Sequence, residues 1–73
     1  AKVDAILIIG GKNSANTRNL YDTAKMLVEK VWHIESPKEI PAEITHCKTV
    51  GISAGASTPE WIIREVEEQI KKM

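Results

Sequence analysis

The sequence predicts a small α/β fold: a three-layer α/β/α arrangement with a short parallel sheet of three strands, in the order 2-1-3, and two long helices. Apolar runs over residues 5–9 and 49–53 have the length and β-branched composition of strands buried in parallel sheets. A loop rich in Gly and Ser follows each run, and a segment with helical apolar spacing follows each loop. This alternation is typical of parallel α/β folds.

The elements of the first half follow from apolar spacing and capping residues. The first strand is predicted over residues 5–9, and a helix over residues 15–30 with Ser14 as its N-cap. Residues 31–34 form a weaker second strand, and residues 38–46 have room for one or two helical turns. The apolar stripe of the first helix comprises Leu20, Ala24, Leu27 and Val28.

The last helix is predicted from its start signals. Thr58 is a favourable N-cap, Pro59 suits the first helical position, and Glu60 favours the positive end of the helix dipole. Trp32 and Trp61 are predicted to be packing residues. The apolar stripe of this helix comprises Ile62, Ile63, Val66, Ile70 and Met73.

Two polar loops are expected to meet at one edge of the sheet. They are residues 10–17 (GGKNSANT) and residues 53–59 (SAGASTP), which follow the first and third strands. In the expected order 2-1-3, with right-handed crossovers, these strands are neighbours, so both loops lie at the point where open α/β sheets bind ligands. Hydroxyls, backbone N–H groups and helix N-termini there suit a phosphate or diphosphate. The loops match neither the P-loop nor the G-x-G-x-x-G pattern.

Composition narrows the class of protein. Ten basic and ten acidic residues leave no net charge, which argues against general binding of nucleic acid or anionic membranes. No apolar run approaches the roughly 20 residues of a membrane span. The lone cysteine favours a reducing compartment, which we expect to be the cytoplasm, or a plastid if the source is a photosynthetic eukaryote. We expect residues 1–73 to be one domain cut from a larger protein, prone to self-association through an uncovered sheet edge.

Three further residues are predicted to have no catalytic or metal-binding role. Cys47 precedes the third strand, which places it roughly 15–20 Å from the loops and favours a structural thiol. His33 and His46 each stand alone in the sequence. The chain carries no Ser-His-Asp set, paired carboxylates or CxxC motif, so no catalytic residue is assigned.

The two loops carry a family resemblance. Residues 3–20 (VDAILIIGGKNSANTRNL) and 50–61 (VGISAGASTPEW) resemble two signatures of the C-terminal domain of the LytB/IspH family, 4-hydroxy-3-methylbut-2-enyl diphosphate reductase. The resemblance implies a three-domain enzyme around a 4Fe–4S cluster. Such an enzyme takes electrons from a ferredoxin or flavodoxin and converts its allylic diphosphate to isopentenyl and dimethylallyl diphosphate in the non-mevalonate pathway.

The resemblance also implies which residues bind substrate. Ser14, Asn16 and Ser57 correspond to the side chains that hydrogen-bond the diphosphate. Many members carry a second Ser at the position of Ala15, where this chain retains only the backbone amide. The cluster cysteine of this domain precedes the segment present here, and Cys47 does not replace it. The isolated chain is therefore expected to hold no metal and to catalyse no reaction.

One alternative function belongs to a different class. A free-standing phosphate- or flavin-binding module of flavodoxin type, without catalysis, would also carry a phosphate loop rich in Ser and Thr. A yellow chromophore that co-purifies with the chain would favour this alternative. A third possibility is a fragment of structural interest only, with the sheet edge as its main feature.

Overall fold

The parallel sheet positions both loops at one edge. A computed structural model describes residues 3–73. Its strands form one parallel sheet in the order β2-β1-β3, as predicted. The strands are β1 (Ala5–Ile9), β2 (Lys30–Ile34) and β3 (Val50–Ala54). Ile9 at the end of β1 pairs with Ile34 on one side and Ala54 on the other, so the three strands end level with one another.

Two helices cover opposite faces of the sheet, α1 (Ala15–Leu27) and α2 (Glu60–Lys72). On the α1 face the core is built from Ile8, Ala24 and Val31. On the α2 face the buried cluster is Leu7, Ile9, Ile34, Ile44 and Val66. Successive β1 residues point to opposite faces, so one strand supplies both cores. The predicted three-layer arrangement is therefore confirmed.

The connection between β2 and β3 contains two short 3₁₀ helices, Pro37–Glu39 and Ala42–His46. This agrees with the one or two helical turns expected over residues 38–46. Ile44 in the second 3₁₀ helix is buried and belongs to the core on the α2 face. The connection therefore helps to cover the sheet instead of looping away from it.

The end of α1 differs from the prediction. The helix stops at Leu27, not Lys30, because Lys30 is already paired with Ala5 in the sheet. Val28 is the C-cap in an extended conformation, and its N–H donates to the carbonyl of Ala24. The early end leaves Leu27 outside the core, with 62 % of its surface exposed.

Packing of the two tryptophans also differs from the prediction. Trp32 packs against the core on the α2 face, as expected, whereas Trp61 is 62 % exposed. Trp61 lies five positions before the buried Val66, which is about 140° around the helix and therefore on its outer side. Met73, which was predicted to extend the apolar stripe of α2, is exposed at the end of that helix.

Strand β3 forms one edge of the sheet, and no further strand pairs with it among residues 3–73. Ile52 on this strand is partly exposed. Self-association through this edge stays a prediction. Neither helix of the described part of the chain has the length and apolar character needed to cross a membrane.

Candidate functional site

The loops after β1 and β3 are joined by three hydrogen bonds. The N–H of Gly55 donates to the carbonyl of Ile9 at 3.0 Å, and the Thr58 hydroxyl donates to the same carbonyl at 3.1 Å. The N–H of Ala56 donates to Oδ1 of Asn16 at 2.9 Å. The predicted convergence of the two loops is therefore present in the structure.

The bond to Ala56 fixes the orientation of the Asn16 carboxamide. A backbone N–H requires an acceptor, so the atom facing Ala56 is the carboxamide oxygen. The two N–H hydrogens of Asn16 are left free, and no hydrogen bond among residues 3–73 uses them. Since Asn16 is exposed, it presents two donors to solvent at the junction of the loops.

Ser14 caps helix α1, as predicted. Its backbone is extended, and its Oγ accepts the N–H of Thr17 at 3.3 Å. A hydroxyl that accepts one hydrogen bond can still donate its own hydrogen, so Ser14 keeps a donor for a ligand. Ala15 follows as the exposed first residue of the helix and offers only its amide. The first turn contains no acidic residue, which leaves the positive end of the helix uncompensated.

Ser57 lies beside this junction, because it directly follows Ala56 in the chain. Its side chain is exposed and borders a shallow cleft of about 300 Å³. The cleft is lined by Gly10, Gly11, Glu35, Ser57, Thr58, Pro59 and Ile62. The structure thus places Ser14, Asn16 and Ser57 at one edge of the sheet, with Asn16 connecting the two loops.

The predicted capping of α2 is wrong. The helix begins at Glu60, and Pro59 occupies the N-cap position without a side-chain cap. The Thr58 hydroxyl, predicted to cap the helix, instead donates to the carbonyl of Ile9. That carbonyl accepts the N–H of Gly55 as well, so both of its lone pairs are used to fasten the second loop to β1.

The packing of Thr17 against Gly10 and Gly55 was not predicted, and full burial rules out the expectation from residues 10–17 that the Thr17 hydroxyl is a donor to a ligand. Thr17 is fully buried, and a Cβ atom added to either Gly10 or Gly55 would overlap its hydroxyl. Both glycines directly follow a strand and therefore occupy equivalent places in the two loops. This repeated position of glycine is the sequence signal that could have identified a close contact between the loops.

His33 supports the first loop from the neighbouring strand. Its Nε2 lies 2.9 Å from the carbonyl oxygen of Gly10, and its ring is tilted against Tyr21 at a centroid distance of 6.2 Å. Because a carbonyl only accepts, Nε2 is the donor in this hydrogen bond. This contact gives His33 a structural role in holding the first loop against β2.

The residues of this chain do not fit a 4Fe–4S cluster. Such clusters are held by several cysteine thiolates, and Cys47 is the only cysteine present. It lies before β3, at the opposite end of the sheet from the loops, and its Sγ is 3.9 Å from the carbonyl of Glu43. Among residues 3–73 no group of three or more His, Cys, Asp or Glu side chains could hold a metal ion.

Acidic side chains hold the backbone of the first loop on its β2 side. Glu35 accepts the N–H of Lys12 at 3.1 Å, and the Lys12 ammonium lies 3.5 Å from the Glu39 carboxylate. Glu39 also accepts the N–H of Glu35 at 2.9 Å and the hydroxyl of Ser36 at 3.3 Å. The charge of Lys12 is therefore already paired within the protein.

We expect this network to be visible in the titration of Glu39. The backbone N–H of Glu35, and to a smaller extent Lys12, hold the pKa of Glu39 below its usual value. Replacing Lys12 with Met should raise that pKa only partly, because the larger cause remains. The measurement is an NMR pH titration of the Glu39 carboxyl carbon in both proteins.

The same shift sets the pH range in which Glu39 stabilises the fold. Because the pKa of Glu39 is lower in the folded chain, its carboxylate stabilises the fold at pH values above its pKa in the unfolded chain, about 4.3. That stabilisation is lost as the pH falls through the pKa of Glu39 in the folded chain. A Glu39→Gln control should remove this dependence. Identical Glu39 titrations with and without Lys12 would contradict the assigned contribution of Lys12.

Comparisons with known proteins identify the family. A family model described as LytB protein matches residues 1–71. The 4-hydroxy-3-methylbut-2-enyl diphosphate reductase of Treponema denticola is 52 % identical over 69 residues, which are 94 % of this chain and 24 % of that protein. The enzyme of the same name from Aquifex aeolicus is 51 % identical over 73 residues, or 99 % of this chain and 25 % of that protein.

The fold has a counterpart among solved structures. A structure of (E)-4-hydroxy-3-methyl-but-2-enyl diphosphate reductase, the terminal enzyme of the non-mevalonate pathway, matches with a TM-score of 0.93 and 51 % identity. The match covers 99 % of this chain and 26 % of that chain. The chain thus spans about a quarter of the length of the relatives it matches. Because the family model covers nearly all of its residues, the chain belongs to the LytB protein family.

Proposed function

We propose that this chain is the diphosphate-binding domain of a larger, three-domain reductase. The proposed substrate is 4-hydroxy-3-methylbut-2-enyl diphosphate, and the products are isopentenyl and dimethylallyl diphosphate in the non-mevalonate pathway. The support is twofold: the activity named for relatives that are about half identical to this chain over the aligned residues, and the donors gathered by the two loops. The relatives are about four times longer, so the reduction itself would depend on residues outside this chain.

The observation that carries the proposal is the hydrogen bond from the N–H of Ala56 to Asn16. It joins the two loops and leaves both side-chain N–H donors of Asn16 for a ligand. The hydroxyls of Ser14 and Ser57 and the amide of Ala15 would complete a set of neutral donors. Neutral donors and a helix N-terminus bind anions well, because their dipoles are already oriented toward the charge.

The proposed role of the domain is to hold one end of the substrate. A fixed diphosphate restricts where the hydroxyl end of the same molecule lies, and such positioning lowers the barrier of a reaction. We place the 4Fe–4S cluster and the contact with a ferredoxin or flavodoxin in the remainder of the enzyme. The single cysteine of this chain, at the far end of the sheet, supports that division.

A titration of the ¹⁵N-labelled 73-residue chain with sodium diphosphate tests the binding role. We expect saturable shifts confined to the amides of residues 10–17 and 53–58. Sodium sulfate at equal ionic strength is the control, and it should produce smaller shifts that do not saturate in the same range. Diphosphate shifts spread over the whole chain, or none at about 10 mM, a concentration that corresponds to roughly 3 kcal/mol of binding, would contradict the proposal.

A further inference from the structure

Thr17 is an enclosed polar side chain directly beneath the candidate site. None of its surface is exposed, and its hydroxyl is buried without a hydrogen-bond partner among residues 3–73. Buried hydroxyls are nearly always paired, because burial without a partner costs free energy. The Thr17 side chain therefore contributes to the fold by something other than a hydrogen bond.

The contribution of Thr17 is its packing against both loops. The Thr17 hydroxyl occupies the space in which a Cβ of Gly10 or of Gly55 would lie, and its methyl group also borders Gly10. Asn16, the next residue in the chain, accepts the N–H of Ala56, which directly follows Gly55. Thr17 thus packs under the hydrogen bond that joins the loops.

We propose that Thr17 is a positioning residue of the site: its side chain fills the gap between Gly10 and Gly55 and sets the separation of the loops that carry Asn16 and Ser57. The proposal rests on the diphosphate-binding role given above. Thr17 does not touch the ligand; it acts through the loops that do.

The atom between the two glycines is an oxygen, and this determines which substitutions matter. A methyl group is larger than a hydroxyl oxygen, so Thr17→Val pushes the loops apart, while Thr17→Ala removes the spacer and leaves a gap. Thr17→Ser keeps the oxygen and removes only the methyl group. Serine is therefore the conservative variant, and valine the variant closest in shape.

Two measurements on the complete 73-residue chain test the proposal. Hydrogen exchange of the Ala56 amide reports on the bond between the loops, and an NMR titration gives the Kd for sodium diphosphate. We expect Thr17→Val and Thr17→Ala to exchange about tenfold faster at Ala56 and to bind diphosphate at least about fivefold more weakly, which is close to the loss of one hydrogen bond. Thr17→Ser should stay within about twofold of the parent chain for both.

The Tm values of the Thr17 variants distinguish a role in positioning the loops from a role in stability alone. In Thr17→Val the loss of the unpaired hydroxyl offsets the cost of moving the loops apart, so its Tm should stay above that of Thr17→Ser, which loses a buried methyl group and should melt several degrees below the parent. Thr17→Val should then bind diphosphate more weakly than Thr17→Ser although it melts at a higher temperature. If Thr17 contributed to stability alone, the variant with the lower Tm would also be the weaker binder.

The proposal is overturned if Thr17→Val matches the parent chain in both Ala56 exchange and diphosphate affinity. If Thr17→Val does not fold, the serine and alanine variants decide, and equal Ala56 exchange in those two overturns it. If the parent chain itself does not bind diphosphate, the proposed function fails, while the exchange of Ala56 still tests the role of Thr17.

Discussion

Replacing Asn16 with Asp is expected to weaken diphosphate binding by at least about 30-fold while leaving the two loops joined. The Asp carboxylate keeps an oxygen that can accept the N–H of Ala56. It replaces the two outward N–H donors with a second acceptor that carries negative charge. Losing hydrogen bonds to a charged ligand costs roughly 1.5–3 kcal/mol, and charge repulsion adds to that loss.

A second substitution at the same position provides the control. Asn16→Ala removes the donors and the bond to Ala56 together, so it should both weaken diphosphate binding and speed hydrogen exchange at Ala56. Asn16→Asp should weaken binding without that faster exchange. Calorimetry or NMR titration with diphosphate gives the affinities. Parent-like affinity in Asn16→Asp would remove Asn16 from the proposed site.

The same pair of substitutions can be tested for catalysis in a full-length relative. The reductase of Aquifex aeolicus aligns with this chain over 73 residues at 51 % identity. Asp at the position aligned with Asn16 should lower its kcat/KM by about 100-fold, the equivalent of roughly 2.7 kcal/mol of transition-state stabilisation. Full activity would separate that residue from substrate binding in the family.

Replacing Gly55 with Ala is expected to destabilise the fold by about 2–3 kcal/mol, the upper range for overpacking a close contact. The added Cβ would overlap the fully buried Thr17 hydroxyl, so either the loop or that side chain would have to shift. A domain of this size has a free energy of unfolding on the order of 5 kcal/mol. The Tm should therefore fall by about 10–20 °C.

Gly11 provides a matched control in the other loop. A Cβ added at Gly11 has the Glu35 carboxylate as its nearest neighbour, at 3.9 Å, so there is room for it. Gly11→Ala should change stability by less than about 1 kcal/mol, with a gain favoured because the unfolded chain loses freedom. Urea denaturation of both variants measures the difference. Equal stability of Gly11→Ala and Gly55→Ala would contradict the close contact with Thr17.

Much of the fold could be predicted because its signals are local. The apolar run over Ala5–Ile9 marks β1 with the correct ends, and Ser14 caps α1 through a bond to Thr17 only three residues away. The expected strand order, 2-1-3 with right-handed crossovers, is the order of the sheet. The convergence of the two loops then needed no further information.

The features that were missed depend on residues far apart in the sequence. Thr58 has the composition of an N-cap, but its hydroxyl bonds Ile9, 49 positions earlier, once the sheet has formed. Leu27 fits a helical stripe, yet the pairing of Lys30 in the sheet ends the helix before that stripe is complete. The spacing of residues along the chain does not show where a contact in the sheet replaces a local helix cap or ends a helix.

The span of these contacts has a consequence for the kinetics of folding. The bond from His33 to Gly10 closes a separation of 23 residues, whereas the three bonds that fasten the second loop close separations of 40, 46 and 49. Longer closures cost more chain entropy before any contact forms, so β1, α1 and β2 can assemble first and the second loop docks last. If the loops dock after the folding barrier, an anion held between them is expected to slow unfolding and to leave the folding rate unchanged.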